Sequence, residues 1–135
     1  MAAIKGGCMC GGVIYEVSGE PIFVSHCACE NCQKATGGGH GSHAAFHERS
    51  LKADGDLTSF AAKGDSGQNT TYQFCPKCGS SLFLRSAILP NVVVVTLGTM
   101  EAATDLKPSM MVYGKRRRAW DYVDPALPVF QEMPS

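Results

Sequence analysis

The sequence predicts a mainly β protein with few short helical turns. Short runs with strand character recur between turn signals, and no segment carries a helical stripe longer than about two turns. The chain of 135 residues also contains 15 glycines and 7 prolines, which favour tight turns between strands. We therefore expect short strands joined by tight turns.

Seven runs rich in β-branched and aromatic residues are expected to form these strands. In chain order they are 12–17 (GVIYEV), 42–46 (SHAAF), 57–61 (LTSFA), 70–74 (TTYQF), 81–85 (SLFLR), 92–97 (VVVVTL) and 110–114 (MMVYG). Glycine-rich joints such as GGGHG and KGDSG lie between them. One short helix is expected after Cys29, in ENCQKATG, where Gly37 would end it as a C-cap.

A single domain spanning residues 1–135 is expected, because 44% apolar residues suffice for one modest core. Lysine plus arginine and aspartate plus glutamate number 12 each, so no net charge attracts nucleic acid or an anionic membrane. The N-terminal MAAIKGGCMCGG has no apolar stretch typical of a signal peptide, and the apolar run near 92–97 is far shorter than a membrane span. We therefore expect a cytoplasmic protein without a nucleic-acid or membrane partner.

The seven cysteines indicate metal binding or catalysis, because cytoplasmic thiols stay reduced. They divide into a group of four and a group of three. The Cys quartet comprises CMC and CPKC, that is Cys8, Cys10, Cys75 and Cys78. The Cys triad lies within CACENC and comprises Cys27, Cys29 and Cys32. Four cysteines make a closed structural zinc site, whereas three leave one position open for chemistry.

Other interpretations of the cysteines remain open at this point. A single C-x-x-C is also typical of a redox pair or of two buried small apolar residues. The Cys triad can alternatively donate one ligand to a mixed site and leave two cysteines in the core. For the Cys quartet, we expect Cys8 and Cys10 to project to one face at a strand end, and Gly79 to close the turn of CPKC with a positive φ.

Four segments together resemble one known family. They are GGCMCGGVIYEV, SHCACENCQKATGG, QFCPKCGSSLF and PSMMVYGKRRRAWDYVDPALPVFQEMP, and the likeness runs from about Gly7 to Pro134. The chain resembles the glutathione-dependent formaldehyde-activating enzymes. That resemblance implies a β-tent fold of small, bent antiparallel sheets, a structural zinc on the Cys quartet and a more exposed zinc on the Cys triad. It also implies a carbon–sulfur lyase activity that forms the glutathione–formaldehyde adduct.

An open site with three thiolates favours sulfur chemistry over hydrolysis. Three thiolates make zinc a weak Lewis acid toward water, but a soft metal accepts a further thiolate readily and lowers its pKa. The Cys triad is therefore our candidate catalytic zinc site, with glutathione or a similar thiol as co-substrate and a small aldehyde such as formaldehyde as partner. The sequence does not indicate an oligomeric state.

Three histidines and two cations complete the candidate site. His26, His40 and His43 flank the Cys triad and can carry protons near neutral pH, although exposed or core histidines are the common alternative. Lys34 and Arg85 can pair with the carboxylates of glutathione, although both can equally be solvated surface charges. Lys34 is the first choice, because it follows Cys32 by two residues.

The C-terminal segment contains the basic run KRRR, residues 115–118, and three aromatic residues. We interpret the basic run as a solvated edge strand rather than a phosphate-binding patch. Trp120, Tyr122 and Phe130 are expected to close the core.

Two other functions compete with the lyase. One is a non-catalytic zinc module that binds a thiol or a protein; the other is a methionine sulfoxide reductase, which needs a reactive cysteine outside the metal sites.

Overall fold

The computed structural model describes residues 3–101 and 105–134. The strands in these ranges are β1 (Ile4–Gly7), β2 (Ile14–Val17), β3 (Phe23–Cys27), β4 (Gly41–His47), β5 (Leu51–Asp54), β6 (Thr58–Lys63), β7 (Asn69–Phe74), β8 (Ser81–Ser86), β9 (Val92–Thr96) and β10 (Met111–Val112). One helix, α1 (Glu30–Thr36), follows β3, and single 3-10 turns cover Glu48–Ser50, Leu97–Thr99 and Gly114–Arg116. Within the described ranges, no helix is both long enough and apolar enough to cross a membrane.

The strands form two open sheets. The small sheet has the order β1-β2-β5 and is antiparallel. The large sheet has the order β10-β3-β4-β9-β8-β7-β6, and only the short β10 pairs in parallel, with β3. The prediction of a mainly β fold with little helix is confirmed. The single-domain organisation stays a prediction.

All seven predicted strands are present, and α1 lies where the sequence indicated. Gly37 ends the helix in the left-handed region at φ 75°, as a C-cap glycine does. Three strands were missed for local reasons: β1 (IKGG) contains two glycines, β3 (FVSHC) ends in polar residues, and β5 (LKAD) is mostly exposed. Each is held in place by pairing with another strand, β1 with β2, β3 with β4 and β10, and β5 with β2, and propensity does not indicate such pairing.

The large sheet is covered on both faces, and this separates the two cysteine groups. On β9, Val93 and Val95 pack with Phe46 and Phe83 in one apolar cluster, which also receives residues of the small sheet and Cys75. Val94 points the other way, into a second cluster with Ala45, Leu84 and Cys32. Successive strand residues point to opposite faces, so the Cys quartet and the Cys triad lie on opposite sides of the sheet.

The C-terminal segment corrects two expectations. Trp120 and Tyr122 do not close the core, because 61% and 88% of their surfaces are exposed, and Phe130 is also exposed. The segment is attached mainly by backbone bonds, for example from Met111 N–H to the Pro128 carbonyl.

The basic run is not an edge strand, since Gly114–Arg116 forms a 3-10 turn. Its charges are bonded within the chain: Lys115 to Glu132, Arg116 to Asp65, and Arg118 to the Gln33 side chain.

Candidate metal centres and their cavity

The Cys quartet brings together two turns that are far apart in sequence. Cys8 directly follows the end of β1, and Cys10 lies in the turn after it. Backbone N–H groups at this turn donate to both sulfurs. Val13 N–H donates to Cys8 Sγ at 3.2 Å, and Gly12 N–H donates to Cys10 Sγ at 3.4 Å. The CPKC turn behaves as predicted, because Gly79 has φ 76° and donates its N–H to the carbonyl of Cys75.

The sulfur positions of the Cys quartet fit a tetrahedral ion. All four ligand atoms lie within 4.8 Å of one another, and two of their separations, Cys8 to Cys10 and Cys10 to Cys75, are 3.6 and 3.7 Å. A zinc–sulfur bond of about 2.3 Å requires sulfurs about 3.8 Å apart at tetrahedral angles, whereas a disulfide requires about 2.05 Å. The quartet could therefore hold zinc in a closed site.

The Cys triad forms at the junction of β3 and α1. Cys27 ends β3, Cys29 is the N-cap of α1 with extended backbone angles, and Cys32 lies in the first turn, where its N–H donates to Cys29 Sγ at 3.3 Å. The three sulfurs lie within 4.8 Å of one another. A side-chain acceptor at the N-cap satisfies a free N–H of the first turn, so the same contact begins the helix and brings two ligands together.

Ionisation of the Cys triad also fits a cation. Hydrogen bonds from Cys27 and Cys32 lower the pKa of Cys29 far below its ordinary value. The hydrogen bond with Cys29 raises the pKa of Cys27 to about 12, and hydrogen bonds with Cys27 and Cys29 raise the pKa of Cys32. Without a cation one negative charge is thus shared by three sulfurs, and a metal ion could replace the two remaining protons.

Gln33 fixes the helix that carries the triad. Its amide nitrogen donates to the carbonyls of Ala28 and Arg116 at 2.8 and 2.9 Å, and its oxygen accepts from Arg118 at 2.8 Å. The side chain is buried and uses donor and acceptor together. It therefore links α1 both to the end of β3 and to the basic run.

A cavity of about 110 Å³ lies beside the Cys triad. It lies against β3, β4, β7, β8, β9, the loop after β6 and the C-terminal segment, and all three triad cysteines line it. The Cys quartet does not. The structure therefore gives the two cysteine groups different surroundings, because this cavity, as far as the described residues define it, is lined by the triad and not by the quartet.

His43 is the only one of the three predicted histidines among the residues that line this cavity. It is 5% exposed, and burial lowers the pKa of its imidazole to about 4, so the ring is neutral at neutral pH. Gly41 leaves room for it, since a Cβ there would lie 2.7 Å from two atoms of the ring.

His26 and His40 do not line the cavity. Ser25 and Cys27, the neighbours of His26, line the cavity. Successive strand residues point to opposite faces, so the His26 side chain points away from the cavity. Its Nδ1 lies 2.9 Å from Ser42 Oγ, and its ring packs edge-on against His40 with centroids 4.4 Å apart. His40 Nδ1 lies 2.7 Å from a carboxylate oxygen of Asp121. Both histidines thus have partners away from the triad.

Lys34 and Arg85 are not brought to the cavity. Two residues along a helix correspond to a rotation of about 200°, so Lys34 is exposed on the outer side of α1 while Cys32 is buried. On β8, Leu84 and Ser86 line the cavity, and Arg85 points to the other face, where it bonds to both carboxylate oxygens of Glu48. The expectation for Lys34 rested on its closeness to Cys32 in sequence, which does not place the two side chains on the same side of the helix.

Sequence reasoning missed Gln33 and three further side chains, of which Tyr72 and Ser80 contact the two centres and Asp121 binds a candidate histidine. Tyr72 has its hydroxyl 3.8 Å from Cys32 Sγ, Asp121 holds His40, and Ser80 Oγ lies 3.2 Å from Cys78 Sγ while it accepts from Met9 N–H. Ser80 directly follows CPKCG, which was a usable signal. Tyr72 and Asp121 act across 40 and 81 positions, and a single sequence gives no sign of such contacts.

Comparison with known proteins identifies both a family and a fold. The sequence model described as "Glutathione-dependent formaldehyde-activating enzyme" matches residues 3–116. A crystal structure of a Rhodobacter sphaeroides protein is similar with a TM-score of 0.59 and 22% sequence identity, over 75% of this chain and 91% of that chain. At this identity the likeness supports the fold alone. No curated protein matches the sequence.

Proposed function

This chain belongs to the glutathione-dependent formaldehyde-activating enzyme family, and from that premise we propose that it is a carbon–sulfur lyase that joins a thiol to an aldehyde at the Cys triad. The thiol is glutathione or a similar compound, and the simplest aldehyde is formaldehyde. In the forward direction the thiol sulfur bonds to the carbonyl carbon, the carbonyl π bond opens, and the thiol proton ends on the oxygen. The reverse reaction releases both reactants.

One observation carries this proposal: the three sulfurs of the Cys triad converge within 4.8 Å at the wall of a cavity. The Cys quartet supplies four sulfurs with no such space. A zinc ion held by the triad would keep one position for a thiol and lower that thiol's pKa. We assign the quartet a structural zinc on the same reasoning.

Side chains that line the cavity can take part in transfer of the thiol proton. His43 is buried beside the triad, and burial keeps its imidazole neutral and weakly basic, so it would transfer the thiol proton directly to the carbonyl oxygen as the carbon–sulfur bond forms rather than hold it. Burial and the charge on Cys32 raise the pKa of Tyr72, so its hydroxyl remains a donor. His26 and His40 would act only through neighbours, because they do not line the cavity.

We place this reaction in the cytoplasm, where thiols remain reduced. All seven cysteines are free in the structure, as both metal sites require. A non-catalytic module that binds a thiol would use the same cysteines, so turnover is what distinguishes the two functions.

Exchange NMR with ¹³C-formaldehyde and glutathione tests the proposal, because adduct formation occurs without an enzyme and only its rate can change. We expect the zinc-loaded protein to accelerate exchange between free aldehyde and adduct without shifting their equilibrium. The Cys29→Ser protein should lose the acceleration. Binding of glutathione with no acceleration for any aldehyde would favour the non-catalytic module.

A further inference from the structure

The wall of the triad cavity is largely hydrocarbon. The apolar side chains that line it come from β3, β8, β9, the β8–β9 connection and the C-terminal segment: Phe23, Leu84, Ile88, Leu89, Val94 and Met133. The polar lining residues are mostly uncharged, for example Ser25 and Thr70. Such a lining favours a ligand with an apolar body and few polar atoms.

Charge argues against a carboxylate inside the cavity. Among the described residues that line it there is no lysine or arginine, and the one carboxylate is Asp65. Asp65 is bonded to Arg116 at 3.0 Å, and Arg116 also lies 3.7 Å from Glu30. A carboxylate transferred into such a space loses the free energy of its hydration, and no cationic side chain is there to compensate for that loss. We therefore expect the charged ends of a glutathione molecule to lie outside the triad cavity.

Formaldehyde as the substrate does not explain the size and the apolar wall of the triad cavity. It has a single carbon and no hydrocarbon group, so it gains nothing from an apolar wall. The cavity of about 110 Å³ is lined both by the three triad cysteines and by apolar residues that include Leu84, Ile88 and Val94. Empty apolar space beside a reacting group forfeits the contacts that a larger substrate would make.

We propose that the triad cavity binds the hydrocarbon group of an uncharged aldehyde larger than formaldehyde, aliphatic or aromatic. This deepens the proposed function and rests on it for the identity of the ligand as an aldehyde. The reaction balances as before: sulfur adds to the carbonyl carbon, the π electrons move to oxygen, and oxygen receives the thiol proton. No oxidant or reductant is involved. The apolar wall then selects the carbon substrate, while the thiol's charged groups remain in solvent.

Binding of unreactive analogues tests this without turnover. Linear primary amides from formamide to hexanamide keep a carbonyl group but do not react with thiols, and their affinity for the zinc-loaded protein can be measured by ¹H–¹⁵N chemical-shift titration. We expect affinity to rise about fourfold for each buried methylene. Hexanoate, the charged counterpart of hexanamide, should bind at least about tenfold more weakly, because the cavity offers it no cationic side chain and zinc with three thiolates has a net charge of about −1.

A pair of isoleucine variants shows whether binding occurs in this cavity. Ile88 lines it and is 42% exposed, while Ile22 does not line it and is 45% exposed, so both can be shortened without opening a core. Ile88→Ala should weaken hexanamide binding at least about threefold and leave formamide unchanged. Ile22→Ala should alter neither.

The outcomes separate this inference from the proposed function. Affinity that does not rise with chain length, hexanoate that binds as well as hexanamide, or an Ile88→Ala protein that binds normally would each overturn the apolar preference, even if formaldehyde exchange is accelerated. Absence of acceleration with every aldehyde would overturn the lyase and the identity of the ligand as an aldehyde, even if the amide series behaves as expected.

Discussion

The hydroxyl of Tyr72 lies 3.8 Å from Sγ of Cys32, inside the second apolar cluster of the large sheet. The two residues are 40 positions apart and belong to β7 and α1. Burial raises the pKa of Tyr72, so the hydroxyl keeps its proton and can donate to the sulfur. This contact connects β7 to the Cys triad and gives a candidate metal ligand a side-chain donor from the large sheet.

Replacement of Tyr72 by Phe should weaken metal binding at the triad with little effect on the fold. The ring remains to fill its place, and loss of one hydrogen bond costs only about 1 kcal/mol of unfolding free energy. Loss of a donor to a metal ligand typically lowers metal affinity by about 10- to 100-fold. Competition with a chelator measures the effect. Tyr122→Phe is the matched control, because Tyr122 is fully in solvent; equal zinc affinity in both variants would contradict the role given to Tyr72.

The two cysteine groups should respond differently to the loss of one ligand. Cys78→Ser removes a sulfur that connects the N-terminal turn to the CPKC turn, and a structural zinc site contributes on the order of 10 kcal/mol to folding. This protein should be insoluble or melt far below the wild type. Cys29→Ser should remain folded and retain one tightly held zinc ion in place of two.

Elemental analysis before and after mild chelation, combined with thermal unfolding, measures both effects. The triad zinc should be labile and leave on mild chelation, because three ligands leave the site open. A wild-type protein that contains a single zinc ion both before and after chelation would leave the triad without support as a metal site. The opposite ranking of the two variants in stability would reverse the structural and chemical assignments.

Local signals in the sequence were sufficient for most elements and for the division of the cysteines. Strand runs, the helix with its Gly37 cap and the spacing of CPKC all act over a few residues, so a single sequence contains them. The directions in which individual side chains point were harder to predict. Lys34 and His26 are next to ligands in sequence yet point away, because a helix turns and a strand alternates. Trp120 was expected to close the core with the C-terminal segment, but backbone hydrogen bonds attach that segment and the ring stays exposed.

Gly41 gives a test of how tightly His43 is packed. A Cβ at Gly41 would lie 2.7 Å from Cε1 and Nε2 of His43 and 3.6 Å from Cβ of Cys32. We expect Gly41→Ala to lower the unfolding free energy by about 1–3 kcal/mol through overpacking, as measured by chemical denaturation. Gly98→Ala is the control, because nothing lies within 4 Å of a Cβ there; its effect should stay within about 0.5 kcal/mol. Equal stabilities of the two variants would show that His43 moves freely.

The ion pair between Glu48 and Arg85 should give a small, pH-dependent contribution to stability. Arg85 Nε and Nη2 donate to the two carboxylate oxygens at 2.5 and 3.0 Å, and this lowers the pKa of Glu48 from its ordinary value of 4.5. A lowered folded-state pKa means that the stabilisation is present above pH 4.5 and is lost as pH falls through the folded-state pKa.

Glu48→Gln should therefore lower the unfolding free energy at pH 7 by less than about 1 kcal/mol, because the pair is partly exposed. The difference from the wild type should shrink as pH falls below 4.5 and through the lowered folded-state pKa of Glu48. Denaturation of both proteins at each pH measures it, and loss of metal in acid affects both alike. A difference that grows as pH falls would contradict the sign. Glu20→Gln, at an exposed position, should show no such trend.

The choice of thiol can be tested by the sulfur atom itself. Metal held by the Cys triad favours a sulfur ligand, and S-methylation of glutathione removes the thiolate while it leaves both carboxylates and the amino group. We expect calorimetry to show weaker binding of S-methylglutathione than of glutathione to the wild-type protein. The Cys29→Ser protein should bind the two about equally, because the site that distinguishes them is lost.

Lys34 now serves as the matched control for that experiment. Its exposed position on the outer side of α1, away from the cavity, predicts that Lys34→Ala binds glutathione like the wild type. A loss confined to Lys34→Ala would mean that glutathione lies along the outer face of α1, outside the triad cavity. Equal affinity of the wild type for glutathione and S-methylglutathione would mean that sulfur is not recognised at all, and the chain would then be better explained as a binding module than as a lyase.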